Sequence, residues 1–242
     1  MRGSGPALVL LQGQANNHRW WDLVRPDFTD TRTTITFDYR GTGDSPDTDA
    51  EYTTRQFALD AMTVLDYIGF ARADVYGTSM GGRIAQIIAA EHPERVCKLI
   101  LGCTAPGGPH SVERGQAVRH RLTAKGTELR DQLVDLMYTP GYRAAHPGPY
   151  GTLGDTAMTD AARRKHLRAS DTHDGWTILP KITAPTLILH GTDDELTPFA
   201  NAPLIAQRIP TSEVYVFHGA RHAYFEECRP SASEVVRVFL RS

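Results

Sequence analysis

The sequence is poor in the features that would send it to several common destinations. It holds only three cysteines, Cys97, Cys103 and Cys228, an odd number without metal-ligand spacing. That argues against a disulfide scaffold and for free thiols in a reducing compartment. No apolar run approaches the roughly 18 to 20 residues that span a bilayer. The start, MRGSGPALVLL, is too weakly basic, and its apolar stretch too short, for a secretion signal. A cytoplasmic protein without a membrane partner is expected. Charge of one sign is scarce as well: the net value is −2 and the basic residues are scattered, which excludes an obvious nucleic-acid surface. There is no internal repeat and no low-complexity tract, and the 40% apolar share is enough to bury a core. The length fits one α/β domain with a small insertion.

What is present is an alternation of short apolar runs and helical stretches. ALVLLQ (7–12), TTITFD (33–38), ADVYG (73–77) and CKLILGC (97–103) have the Val, Ile, Leu and Thr content of buried parallel strands. Between the second and third lies TTRQFALDAMTVLDYIGF, where Phe57, Ala61, Val64, Leu65 and Ile68 recur at helical spacing. MGGRIAQIIAAEHPERV reads as another helix, stopped near His92 by Pro93. Strand–helix–strand repetition predicts a mostly parallel sheet flanked by helices. From about Pro106 to Trp176 the chain turns polar and irregular, predicting an insertion of two to four helices over the sheet. The alternation resumes with PTLILHG (185–191), a helix near 200–208, SEVYVFHG (212–219) and a last helix, SASEVVRVFL. Three parts follow: residues 1–105 as the N-terminal core, 106–176 as a helical cap insertion, and 177–242 as the C-terminal core.

One stretch asks for a chemical explanation. In VYGTSMGGRI, residues 75–84, Ser79 stands in G-x-S-x-G between a strand and a helix. Glycines there permit the close backbone approach of a sharp turn, and the helix N-terminus favours an oxyanion nearby. A serine hydroxyl is a poor nucleophile until a base takes its proton and a third group orients that base. HGTDDELTP places Asp193 and Asp194 just past one strand, and GARHAYFEE places His222 just past the last, with His190 and His218 as rivals at strand ends.

With these motifs in order, the chain resembles the α/β-hydrolase superfamily, small esterase and lactonase type. The elbow matches Gly77–Gly81, DYRGTGDS matches a fold-supporting turn at Asp38–Ser45, G-x-x-D-x-x-x-P puts the acid at Asp194, and G-x-x-H puts the base at His222. GCTAPGGPH and PKITAPTLILHG are similar to segments of 3-oxoadipate enol-lactonase-like hydrolases. The resemblance implies an α/β-hydrolase fold and a catalytic Ser79, Asp194 and His222. It also implies an oxyanion hole from the backbone N–H groups of Met80 and Gln14. No metal or organic cofactor is implied. The family commonly has His-Gly where this chain has Gln12-Gly13, and the Gln12 amide is expected to brace that loop instead. The resemblance leaves the first two family strands unmatched ahead of GPALVLL, so TTITFD is expected at an exposed sheet edge: either the start has been lost or mis-set, or a partner chain, as in a homo-oligomer, covers that edge.

The expected function is a serine hydrolase cleaving a small carboxylic ester or lactone through an acyl-enzyme. The same triad also suits C–C bond or thioester hydrolysis or cofactor-free perhydrolysis, and a non-catalytic small-ligand binding protein is the rival outside catalysis. Trp20 and Trp21 could line the pocket but read rather as core packing, and Cys103, beside the elbow strand, could face the pocket but reads rather as a buried, inert thiol. The insertion's arginines and histidines read equally as a solvated face or as an attraction for a carboxylate substrate.

Overall fold

A computed structural model describes residues 1–242. Its sheet is made of β1 (Ala7–Leu11), β2 (Thr33–Ile35), β3 (Ala73–Thr78), β4 (Val96–Gly102), β5 (Thr186–Gly191) and β6 (Ser212–Phe217). Every neighbouring pair is parallel, in the order β2-β1-β3-β4-β5-β6. The strand runs read as apolar all pair as expected, although β2 keeps only three residues of TTITFD.

The alternation along each strand explains why both sheet faces are covered. Ala7, Val9 and Leu11 of β1 face one core cluster, and Leu8 and Leu10 face the other. The first cluster is roofed by α1 (Thr54–Tyr67) and α2 (Met80–Glu91), which contribute Phe57, Ala61, Leu65, Ile84 and Ile88. Thr53 begins α1 by accepting the Gln56 N–H at 3.0 Å, satisfying one otherwise orphaned donor.

The connection from β4 to β5 carries α3 (Gln116–Arg121), α4 (Gly126–Met137), α5 (Pro140–Ala145) and α6 (Asp160–Asp171). After β5 come α7 (Asn201–Ala206), then α8 (Tyr224–Glu227) and α9 (Ser231–Arg241) beyond β6. The second cluster is closed by α9 through Ala232, Val236, Phe239 and Leu240, with Trp21, Phe28 and Tyr224 between. Each fully buried aliphatic or Phe side chain contributes about 1.5–3 kcal/mol. No helix is long and apolar enough to cross a membrane.

β2 does stand at the sheet edge, and the chain closes part of that edge itself. Arg2 and Thr34 exchange two backbone hydrogen bonds, 3.0 and 2.8 Å. The Arg25 side chain donates to the Thr34 hydroxyl and carbonyl, both at 2.9 Å. The strand order reverses about β1, so the loops after β1 and β3 part at their carboxyl ends. Open α/β sheets bind ligands in such a crevice.

Candidate active site

Ser79 follows β3 directly and takes φ 55°, ψ −121°, a strained conformation for a residue with a side chain. The neighbours that permit it have no room for a Cβ. One on Gly77 would run into the Gly81 carbonyl, and one on Gly81 into the Leu11 carbonyl. At Gly82 it would meet the Thr104 side chain at 2.6 Å. The turn is pinned by the Ser79 N–H donating to Gly102 O (2.9 Å) and by the Thr104 hydroxyl donating to Ser79 O (2.7 Å). Backbone fixed in this way leaves the serine hydroxyl at the head of α2.

His222 lies in the loop after β6 and is 3% exposed. Its Nδ1–H donates to Asp194 Oδ2 at 2.8 Å, which leaves Nε2 as the free acceptor of the ring. Asp194 is itself buried, and its other oxygen accepts the Thr197 N–H at 2.9 Å. Burial alone would push the Asp194 carboxyl up. The neighbouring His222 and the hydrogen bonds from His190 and His222 outweigh it and hold the group down at about 2. Of the two adjacent acids, Asp193 and Glu195 are exposed, and neither touches His222. His218 is exposed as well.

Ser79, His222 and Gln14 line one cavity of about 420 Å³. The β4–β5 connection supplies five leucines to its wall: Leu122, Leu129, Leu133, Leu153 and Leu167. Arg114, Arg163 and Arg164 also border it, and none pairs with a carboxylate; Arg163 donates to the Asp155 carbonyl at 2.9 Å. A larger, more open hollow of about 880 Å³ shares Gly154 with it but holds neither Ser79 nor His222.

Neither the Met80 nor the Gln14 N–H is taken by a backbone carbonyl outside the regular elements. The loop that carries Gln14 is braced from several sides. The Gln12 amide donates to Phe37 O at 2.9 Å, as expected from its place beside Gly13. Asp38 accepts both the His18 N–H and its ring Nδ1–H, at 2.8 and 2.7 Å. The DYRGTGDS turn therefore anchors the loop, a use its sequence did not suggest. Trp20 is buried with its indole N–H on the Thr78 hydroxyl at 2.9 Å, yet its ring also borders the cavity. Trp21 is wholly core. Cys103 is fully buried, and burial and the Asp194 charge raise its thiol far above the ordinary range.

Two buried groups close to the site were not foreseen. Glu226, four residues after the base, is 5% exposed and accepts a hydrogen bond from the Tyr138 hydroxyl. Burial pushes its carboxyl up to about 7 against the lowering effect of that bond. Around it the end of α4 and the residues just after it are stapled to the loop of His222. Ala223 N–H donates to Met137 O (2.9 Å), Thr139 N–H to Glu227 (2.8 Å), and Arg221 pairs with Asp135 (3.0 Å). The second unforeseen group is His190, which had been weighed only as a rival base and stands instead beside Asp194, its Nε2 3.3 Å from Oδ2.

Known proteins of the same shape agree with this frame. A Pseudomonas savastanoi pv. phaseolicola protein named for carbamate hydrolysis is 27% identical over 90% of this chain and 87% of its own length. The enol-lactonase of Burkholderia xenovorans LB400 superposes with a TM-score of 0.84 at 23% identity, covering 99% of this chain and 93% of that one. Est816, described as an N-acyl homoserine lactone degrading enzyme, gives 0.84 at 25% identity over 98% and 94%. Residues 6–136, more than half of the sequence, match the alpha/beta hydrolase fold family, and the chain belongs to that family.

Proposed function

We propose that the protein is a serine hydrolase cleaving a small carboxylic ester or lactone. The observation that carries this reading is the buried His222–Asp194 pair, 2.8 Å apart, opening onto the same cavity as a serine held in a strained elbow. His222 Nε2 takes the Ser79 proton as Oγ attacks the carbonyl carbon. Asp194 orients the ring and stabilises its positive charge. The Met80 and Gln14 N–H groups receive the oxyanion. The imidazolium then protonates the leaving alcohol, and water activated by His222 hydrolyses the acyl-enzyme. In a lactone that alcohol stays on the acyl group, and the product is a hydroxy or keto acid.

The leucine walls suit a short apolar acyl or alcohol part. Arg114, Arg163 and Arg164, free of carboxylate partners, favour a substrate that also bears an anionic group. The lactone named for Est816 and the enol-lactone named for the Burkholderia protein are therefore reasonable first probes. Residues 106–176 act as the cap that shapes the cavity. The three cysteines are all free, which supports a cytoplasmic setting.

The test is hydrolysis of p-nitrophenyl butyrate beside its carboxylated counterpart, mono-p-nitrophenyl glutarate, and a set of lactones. Ser79→Ala is expected to lower kcat on the order of 10⁶-fold. A fall of less than about tenfold would remove Ser79 as nucleophile. Failure of a fluorophosphonate probe to label Ser79 in folded protein would favour a binding role. Labelling without ester turnover would point to C–C bond or thioester substrates.

A further inference from the structure

We propose that His190 is a second positioning residue for the acid of the triad, its ring N–H sharing with that of His222 the task of holding Asp194 ionised and correctly turned. The proposal rests on the serine-hydrolase reading above. His190 lies in β5, next to its last residue, four positions before Asp194, and its side chain is 1% exposed. Nε2 lies 2.7 Å from the Thr197 carbonyl oxygen. A carbonyl only accepts, so Nε2 carries the proton. The same N–H stands 3.3 Å from Asp194 Oδ2, the oxygen that accepts from His222. Thr197 closes the ring, because its own N–H donates to Asp194 Oδ1 at 2.9 Å. The carboxylate is thus clamped on both oxygens, and His190 holds the clamp and the acid at once.

The other side of the ring shows that packing alone does not explain the residue. His190 Nδ1 is buried and has no hydrogen-bond partner. An unpartnered polar atom in such a place is destabilising, and a leucine or phenylalanine would fill the space without it. Retaining an imidazole is physically sensible only if the opposite nitrogen returns something, and Nε2 both holds the Thr197 carbonyl at 2.7 Å and stands 3.3 Å from the triad carboxylate. The groups around Asp194 are few. On its own loop Asp193 and Glu195 point to solvent; Cys103 approaches from the end of β4, and His222 from beyond β6. No arginine or lysine forms an ion pair with the carboxylate, so the two imidazoles and one backbone amide are its whole support.

Without the His190 donor, Asp194 is a more exposed negative charge to His222 and is freer to turn. The imidazolium is then favoured over the imidazole, and the base becomes available only at higher pH. The experiment compares His190→Leu, which removes the donor, with His190→Gln, whose amide nitrogen reaches about as far as Nε2. With an N–H 3.3 Å from the carboxylate and the Thr197 brace both lost, His190→Leu is expected to lower kcat about 10- to 100-fold. KM should change little, and the acid limb of kcat/KM should move to higher pH. His190→Gln should recover most of both. An unmoved acid limb in His190→Leu would overturn the proposal. So would equal losses in both variants tracking a lowered melting temperature, since a structural role predicts that result.

If His190→Leu does not fold, His190→Asn decides, because its amide reaches only as far as Nδ1. A wild-type pH profile in that variant refutes the role, and an upward shift supports it. Ser79→Ala is run alongside. If that variant keeps its activity the underlying hydrolase reading fails, whereas a dead Ser79→Ala with indifferent His190 variants sinks only the positioning role.

Discussion

Two helices of equal length, α2 and α4, are built to opposite standards. Each has twelve residues; α2 buries ten of them and α4 buries two, Leu136 and Met137. The first begins at the Ser79 turn, and the second supplies Leu129, Leu133 and Met137 to the wall of the cavity that Ser79 lines. Where reacting atoms must be placed to a fraction of an ångström, the chain uses glycines in backbone contact and a dense apolar core. Where a ligand must be accommodated, it uses a polar segment held by hydrogen bonds and ion pairs. The difference separates the demands of chemistry from those of selectivity within one domain.

The comparison can be broken most forcefully with one methyl group placed in each region. Gly81→Ala drives a Cβ into the Leu11 carbonyl and should cost about 3 kcal/mol or more, or prevent folding. Gly141→Ala, in α5, meets nothing within 4 Å and should stabilise by about 0.4–1 kcal/mol. Urea denaturation of both variants measures the contrast, and similar effects at the two sites would dissolve it.

A second probe addresses the seam between the regions. Glu226 has a folded-state pKa of about 7, raised by burial. An unfolded chain would show about 4.3. The stability it lends is therefore complete below about pH 4 and is lost as pH rises through 7. Glu226→Gln keeps an acceptor for the Tyr138 hydroxyl without the charge. It should stabilise the protein at pH 8 by on the order of 2 kcal/mol and leave it nearly unchanged at pH 4. Thermal melts at the two pH values would read this directly, and an equal effect at both would show that ionisation is not the cause.

The smallest effect is expected on the cap itself. Asp135 joins Arg121, Arg143 and Arg221, but all four side chains are partly exposed. Asp135→Ala should cost no more than about 1 kcal/mol in stability. A loss above about 3 kcal/mol would mean that the cap is as integral as the elbow.

The same division decided what could be read from the letters. Ser79 announces itself because its constraints fall on its immediate neighbours: Gly77 and Gly81 each answer a backbone contact, and Gly82 answers the Thr104 side chain. β1, β3 and β5 were legible because they are buried on both faces, so their apolar runs are nearly continuous. TTITFD was read too long for a physical reason. Only Thr33–Ile35 pairs, and Phe37 and Asp38 leave the sheet to hold Gln12 and His18. Glu226 was invisible because its partner Tyr138 lies 88 residues away and no spacing links them. His190 carried a clear signal, a histidine at the end of the acid's strand, but the letters could not show which way the ring faced. The four helices of the β4–β5 connection were foreseen only as a range, since short polar helices leave weak periodicity.

The staples around Ala223 have a mechanical consequence. Met137 and Thr139 at the end of α4 are tied to the residues immediately after His222. In the proposed mechanism a shift of that end of α4 would be passed directly to His222, so the cavity wall and the geometry of proton transfer behave as one mechanical unit.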